Sequence, residues 1–253
     1  METKNIRERG IKNSPSRQAV IELLLGQILS GEMKSGFPIP TETEIANKSS
    51  VSRTVVREAI HSLIAKGVLS TEGKRGAIVQ HFHNWNHLDP EVIRWVTESR
   101  LLNSFLEHIL EVRLIIEPEA AALAAVRSST ADILKIEEAL MEMEKAMDIQ
   151  SEESINGDIN FHNAILHSSG NIILYQFKEL FSAAIDASIK LTFKNAEDIP
   201  LTLKRHRDLY EAIYLRDHIA ARKKAFAILE QSAIDFKKLK IPVRPESIAI
   251  LGR

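Results

Sequence analysis

The sequence predicts a mainly α protein in two parts: a small head of three helices plus a β-hairpin, followed by an all-α antiparallel helical bundle. Three observations carry that expectation. Ala, Leu, Ile, Glu and Lys dominate and long stretches lack Gly and Pro, a composition rich in strong helix formers. Apolar residues recur at helical spacing along most of the chain, except around positions 68–80, where the period shortens to that of strands. The charge also changes sign: residues 1–83 carry 12 Lys+Arg against 8 Asp+Glu, a balance of +4, and the remainder 21 against 26, or −5. A basic N-terminal unit ahead of a mildly acidic one fits a nucleic-acid-binding head joined to a domain of another kind.

The elements follow in order. From Ser16 to Leu29 the apolar positions Val20, Ile21, Leu24, Leu25 and Ile28 share one helical face, and Gly31 supplies a stop. Lys34 to Pro40 is a loop by its Gly and two prolines. Thr41 with Glu44 forms a capping box that opens a second helix through about Lys48. After the turn Ser49-Ser50-Val51, Ser52 caps a third helix that buries Val55, Val56, Ala59, Ile60, Leu63 and Ile64 and closes at Lys66-Gly67. Val68–Thr71 and Ala77–Gln80 then read as a hairpin around the basic tip Gly73-Lys74-Arg75-Gly76. Helix, helix, tight turn, helix, hairpin is the order of a winged helix-turn-helix.

Residues 81–90, HFHNWNHLDP, read as an irregular linker that packs against something. From about Glu91 to Lys240 the pattern is helical, with breaks near Asn103, Ser128–Thr130, Ser151–Ser154, Ser169–Asn171, Asp198–Pro200 and Arg216-Asp217. Six or seven helices with short connections predict a bundle. The expected division is a DNA-binding head at 1–82, a linker at 83–95, a helical effector-binding and dimerisation domain at 96–240, and a poorly ordered tail at 241–253.

With no cysteine in 253 residues, disulfide scaffolds, Cys-based zinc fingers and thiol catalysis are excluded, and any metal site must use His, Asp and Glu. The polar first fourteen residues hold no apolar signal-peptide core, and no stretch approaches the roughly 18 apolar residues of a membrane span. The expectation is a cytoplasmic protein with no membrane partner.

A recognition helix brings small polar residues and arginines to its N-terminal turns, the end that enters the major groove. Ser52-Arg53-Thr54-Val55-Val56-Arg57 does this. Arg53 and Arg57, four apart, project from nearly one face, and their guanidinium forks suit guanine O6 and N7. Ser52 and Thr54 can reach phosphates or base edges, and Lys74 and Arg75 would sit over a neighbouring groove or the backbone. Charge spacing alone is weakly specific, since Arg57-Glu58 could also be a solvated face.

The larger pattern is more telling. Pro40-Thr41-Glu42, Ile45-Ala46, Val51 to Ile60, Leu63, Lys66 to Leu69 and Arg75 to Val79 resemble the head of GntR-type bacterial transcription regulators. That resemblance implies that Ser52, Arg53, Thr54 and Arg57 contact double-stranded operator DNA, that Thr43 assists from the second helix, and that Gly73 and Lys74 approach the minor groove.

A second constellation lies in the bundle. Asp158 and His162 are four apart, so they share a helix face, and His206 lies on a later helix. A carboxylate with two imidazoles suits a divalent ion such as zinc or nickel, although an Asp four before a His is nearly expected among nine histidines. Glu111 to Arg113, Ile116 to Pro118, Asp158 to His162, and His206 with Leu209, Ala212-Ile213 and Asp217 resemble the FCD effector domain of the FadR branch of these regulators over most of 96–240. The resemblance implies that the Asp and His residues ligate a metal at a cavity floor and that Arg113 helps hold an anionic effector. It also shows one departure, because the position of the family's last metal histidine is Ile228 here. Two alternatives stay open: Asp158, His162 and His206 hold an ion completed by the effector or water, or they bind the effector directly.

The segment from Trp85 to Val96 resembles the junction in sugar-acid operon repressors of this branch, which answer galactonate or hexuronates. The reading is therefore a homodimeric, sequence-specific transcription regulator, a repressor released by a small carboxylic acid. A metal-dependent enzyme using Asp158, His162 and His206 with an appended DNA-binding head is the rival, weakened because the sequence shows no nucleophile motif or phosphate loop.

Overall fold

The computed structural model describes residues 17–147, 152–192, 199–244 and 248–249. The polar segment 1–14, Ser16, the breaks at Ser151 and Asp198, and most of the tail, Pro245 and Gly252 included, lie outside them. The chain divides into two compact units, Met1–Val92 and Ile93–Arg253. Among the described residues no helix is long and apolar enough to cross a membrane.

In the first unit, α1 (Arg17–Ser30) buries Val20, Ile21, Leu24, Leu25 and Ile28 and stops at Gly31, whose φ of 83° few other residues adopt. Thr41 caps α2 (Glu42–Ser49) through a complete capping box with Glu44. Ser50, at φ 54°, turns the chain left-handed, and Ser52 caps α3 (Arg53–Ala65) by accepting from the Val55 amide at 3.3 Å. α3 buries Val56, Ala59, Ile60 and Leu63, while Val55 and Ile64 at the edges of the stripe are half-buried. Gly67 closes it at φ 72°, and a Cβ there would stand 2.4 Å from the Asn84 carbonyl oxygen.

The hairpin forms as expected: β1 (Leu69–Thr71) pairs antiparallel with β2 (Ala77–Val79), Leu69 opposite Val79. Its tip, Gly73–Arg75, is a 3-10 turn. One feature was not legible from the Gly/Pro-rich loop. Residues 36–39 run along β2 through Gly36 N to Val79 O (2.9 Å), Val79 N to Phe37 O (3.1 Å) and Ile39 N to Ala77 O (2.9 Å). Pro38, lacking an N–H, leaves this an isolated bridge opposite Ile78.

The linker packs tightly: Trp85 is buried, and the Lys66 ammonium at the end of α3 meets Asp89 (2.7 Å) and Glu91 (2.8 Å). Asp89 also accepts from the Glu91 and Val92 amides, capping α4 (Pro90–Thr97), in which the division between the units falls.

Among its described residues the second unit is built from helices, α5 (Leu102–Arg127), α6 (Thr130–Met147), α7 (Glu152–Ser168), α8 (Lys178–Thr192), α9 (Ile199–Tyr214) and α10 (His218–Lys238), after the end of α4. A 3-10 turn, Leu174–Phe177, precedes α8. The alanine face of α5 (Ala121, Ala124, Ala125) lets α10 approach closely, and the core closes around Ile136, Leu140, Phe161, Leu209 and Ile213. α6 and α7 approach closely at Gly157, where a Cβ would meet the backbone of Met143 at 2.6 Å.

Gly157→Ala sets two effects against each other. Helix propensity favours Ala by roughly 0.5–1 kcal/mol, but the clash is with backbone, which cannot rotate away, and overpacking costs about 1–3 kcal/mol. Urea unfolding should show a net loss of about 1–2 kcal/mol for the variant; equal or higher stability would mean that α6 and α7 are not locked together at this point.

Candidate functional site

On the head, the α3 N-terminus displays the predicted readers. Arg53 and Arg57 are 63% and 55% exposed in their side chains, and Thr43, Ser52 and Thr54 are exposed beside them. The Ser52 oxygen is occupied as the helix cap, but its hydroxyl hydrogen remains to donate to a phosphate. Gly73 lies at the hairpin tip at φ 46° with Lys74 following it, and Arg75 pairs with Glu72 at 3.0 Å. The sequence reading missed Glu42. Its carboxylate accepts from Arg57 Nε (3.1 Å) and Nη2 (2.9 Å) and lies 3.7 Å from Arg53.

The second constellation is assembled by three helices. Asp158 and His162 come from one face of α7, His206 from α9, and Arg113 from α5, and all four are buried. Donor atoms of Asp158, His162 and His206 lie within 4.8 Å of one another. Asp158 Oδ1 is 3.2 Å from His162 Nε2 and 3.7 Å from His206 Nε2, yet Asp158 Oδ1 and His206 Nε2 are buried without a hydrogen-bond partner. Orphaned polar atoms in a bundle core are costly, so their retention points to a ligand.

Both imidazoles are aimed by contacts behind them. His206 Nδ1 lies 2.8 Å from the Thr202 carbonyl oxygen; a carbonyl can only accept, so Nδ1 carries the proton and the Nε2 lone pair faces the site. His162 Nδ1 donates to Glu117 Oε2 at 2.7 Å. Glu117 in turn accepts from Arg113 Nε. Carboxylates and carbonyls behind metal-binding histidines orient the ring and raise its basicity, so the donor set fits a divalent ion.

Glu117 is the residue that the sequence reading left without a role. Its only local signal was its place four residues after Arg113 on an otherwise apolar helix face. Burial would raise the Glu117 pKa, but the Arg113 and His162 charges outweigh it and hold the group down at about 2. Burial would lower the His162 pKa, but Glu117 and Asp158 outweigh it and hold the imidazole at about 9. Burial drives the His206 pKa down, only partly opposed by Asp158. Burial would raise Asp158, but the flanking histidines keep it low.

The cluster opens onto a cavity of about 120 Å³ lined by Arg113, Asp158, His162, His206 and Ile228, with Thr202, Arg205, Gln231 and Asp235 among its polar walls. At about 10–15 Å³ per water of such volume, it accommodates a small polar molecule. Ile228 gives the wall an apolar patch where the resemblance placed a fourth ligand.

Two family models match the chain, one described as bacterial regulatory proteins of the gntR family over residues 16–79 and the other as the FCD domain over residues 108–231. The galactonate operon transcriptional repressor of Escherichia coli (strain K12) is 34% identical, the match covering 87% of this chain and 96% of that protein. The Glc operon transcriptional activator of the same strain is 27% identical over 82% of this chain and 84% of its own. The solved structure of Lar, which controls the expression of the Listeria monocytogenes agr system, shares the fold with a TM-score of 0.56 at 20% identity, covering 94% of this chain and 100% of that one.

The pH dependence of the metal-free cluster follows from the raised pKa of His162 and the lowered pKa of Glu117. A raised His162 pKa contributes stability that is full below the unfolded value near 6.5 and lost as pH rises through about 9. A depressed Glu117 pKa contributes stability that is full above about 4.5 and lost as pH falls through about 2. Chelator-treated protein should therefore lose stability between pH 6.5 and 9. Glu117→Gln should flatten that decline and bring the His162 pKa down in an NMR titration; an unmoved His162 pKa would break the proposed coupling.

Proposed function

The chain belongs to the gntR family of bacterial regulatory proteins, as a DNA-binding transcription regulator with an FCD domain, and from that premise we propose that it is a homodimeric repressor released from its operator by a sugar acid. Arg53 and Arg57 read bases in the major groove, Ser52, Thr54 and Thr43 hold the backbone or base edges, and Gly73, Lys74 and Arg75 place the hairpin tip at the neighbouring groove. A dimer presents two such heads, so its operator is pseudo-palindromic, with half-sites about 10–10.5 bp apart or a multiple of that.

The observation that carries the effector reading is the buried cluster whose Asp158 Oδ1 and His206 Nε2 lack partners beside the Arg113 guanidinium. Arg113 lends Nε and Nη2 (3.5 Å) to the two oxygens of Glu117, which leaves its end edge, Nη1 with the second Nη2 hydrogen, for a carboxylate. Polyhydroxy acids match the remaining walls, where Thr202, Arg205, Gln231 and Asp235 offer hydroxyl-binding groups. The name of the 34% identical relative, a galactonate operon repressor, supports the same class.

Asp158, His162 and His206 would hold a divalent cation, zinc or nickel, three protein donors leaving coordination positions for the acid or water. The ion would supply a concentrated positive charge for the carboxylate and hydroxyl oxygens. The chain's own residues orient the site: Thr202 fixes the His206 tautomer, Glu117 fixes His162, and the apolar Ile228 wall excludes water from one side.

An enzyme on the same residues is disfavoured, because both buried carboxylates are held ionised well below neutrality, and a general base works best with its pKa near the working pH. The relatives are regulators.

Calorimetric titration with a panel of aldonates, uronates and fatty acyl compounds should show heat with an aldonate or uronate; none from either would remove the sugar acid. Arg113→Ala would strand Glu117, so Arg113→Lys is the cleaner variant: it keeps the charge and loses the fork. It should bind operator like the parent and respond to the acid at least tenfold more weakly; an unchanged response would take Arg113 out of the pocket. Elemental analysis should find zinc or nickel in the parent and not in His206→Gln, whereas metal-free parent that still binds the acid would assign the cluster to direct binding.

A further inference from the structure

The Arg57 guanidinium presents two hydrogen-bonding edges. Its side edge, Nε and Nη2, is taken by the two oxygens of Glu42 at 3.1 and 2.9 Å. Its end edge, Nη1 with the second Nη2 hydrogen, makes no hydrogen bond among the described residues. That end edge is the fork that matches guanine O6 and N7. Glu42 therefore occupies the edge whose occupation leaves the base-reading edge of this half-exposed side chain open.

The placement of Glu42 is specific. It is the first residue of α2, after the Thr41 cap, and is 28% exposed in its side chain. Glu44, two residues on, is turned back to the Thr41 amide (2.7 Å) and hydroxyl (2.8 Å). Of these two acids, one closes the helix end and the other crosses to α3, fifteen residues away in sequence. Arg53 Nη2 also lies 3.7 Å from Glu42, so one carboxylate faces both predicted base readers. An exposed ion pair adds little to folding stability. Its effect is on the freedom of a long side chain that DNA binding would otherwise have to immobilise.

We infer that Glu42 is a positioning residue for sequence recognition: it holds Arg57, and steers Arg53, in the orientation that reads bases, while lowering the positive charge of the head by one. This rests on the DNA-reading role proposed for Arg57 and adds a claim that role does not require. Pre-ordering raises affinity only where a base accepts the aimed fork, while the negative charge weakens attraction to any phosphate backbone. Both effects favour the operator over random DNA.

The test uses full-length protein and an operator selected by it from random-sequence duplexes. Affinities for that operator, for a variant altered at the base read by Arg57, and for random competitor are measured across a salt series for the parent, Glu42→Gln, Arg57→Ala and the double variant. Thermal melting confirms that each is folded. Glu42→Gln should bind random DNA at least as tightly as the parent with a salt slope steeper by up to about 1. Its preference for the operator should fall about 2- to 10-fold, the cost of freezing one long side chain. In the Arg57→Ala background the same change should leave the preference unmoved. Full preference in Glu42→Gln, or an equal loss with and without Arg57, overturns the inference. A parent that prefers no duplex over random DNA sinks the DNA-reading proposal itself, a separate result.

Discussion

The bundle is organised around a chain of buried charges: Arg113 to Glu117, Glu117 to His162, and His162 against Asp158, with His206 facing the same carboxylate. Burying one such group alone would cost several kcal/mol, and a pair recovers this only with good geometry and satisfied remaining hydrogen bonds. Here the Arg113–Glu117–His162 links satisfy one another, while Asp158 Oδ1 and His206 Nε2 stay without a hydrogen-bond partner, and the cluster draws on three helices, α5, α7 and α9. The cluster is then a geometric constraint on the bundle as much as a binding site. Separating α5 from α7 would unpair Glu117 and His162, and a ligand that engages Asp158 and His206 would tie α9 to the same cluster.

That coupling is what a ligand-controlled regulator requires, since a ligand shifts an equilibrium only by its difference in affinity for the two states. The head is built for the opposite property. Its recognition helix is held by local devices, the Thr41–Glu44 box, the left-handed Ser50 and the Ser52 cap, with a buried stripe from Val56 to Leu63 beneath. Lys66, half-buried at the end of α3, binds Asp89, which caps α4. The Lys66 ammonium thus ties the end of α3 to the residues that open α4.

What the sequence made legible and what it hid divide along a physical line. Caps, turns and helix faces depend on residues three or four apart, and these were readable: Thr41 with Glu44, Ser52 with Val55, and Asp158 with His162. The buried stripes of α1 and α3 were readable for the same reason. Contacts that depend on how two elements pack were not. Nothing local announces that Glu117 on α5 reaches His162 on α7, that Glu42 crosses to Arg57, or that residues 36–39 run along β2 despite two prolines. The proposed effector residues Asp158, His162, His206 and Arg113 came chiefly from family resemblance, because their spacing alone was nearly expected by chance; the structure places them around one cavity.

The central claim is that the acid bound beside Asp158, His162, His206 and Arg113 favours the form that does not hold the operator. The most direct measurement is the affinity of the acid for free protein and for the protein–operator complex, paired with the operator affinity with and without saturating acid. The two ratios should be equal, because coupling is reciprocal, and both should show weakening of at least about fivefold, the low end of common allosteric couplings. Identical affinity of the acid for free and operator-bound protein would contradict the account.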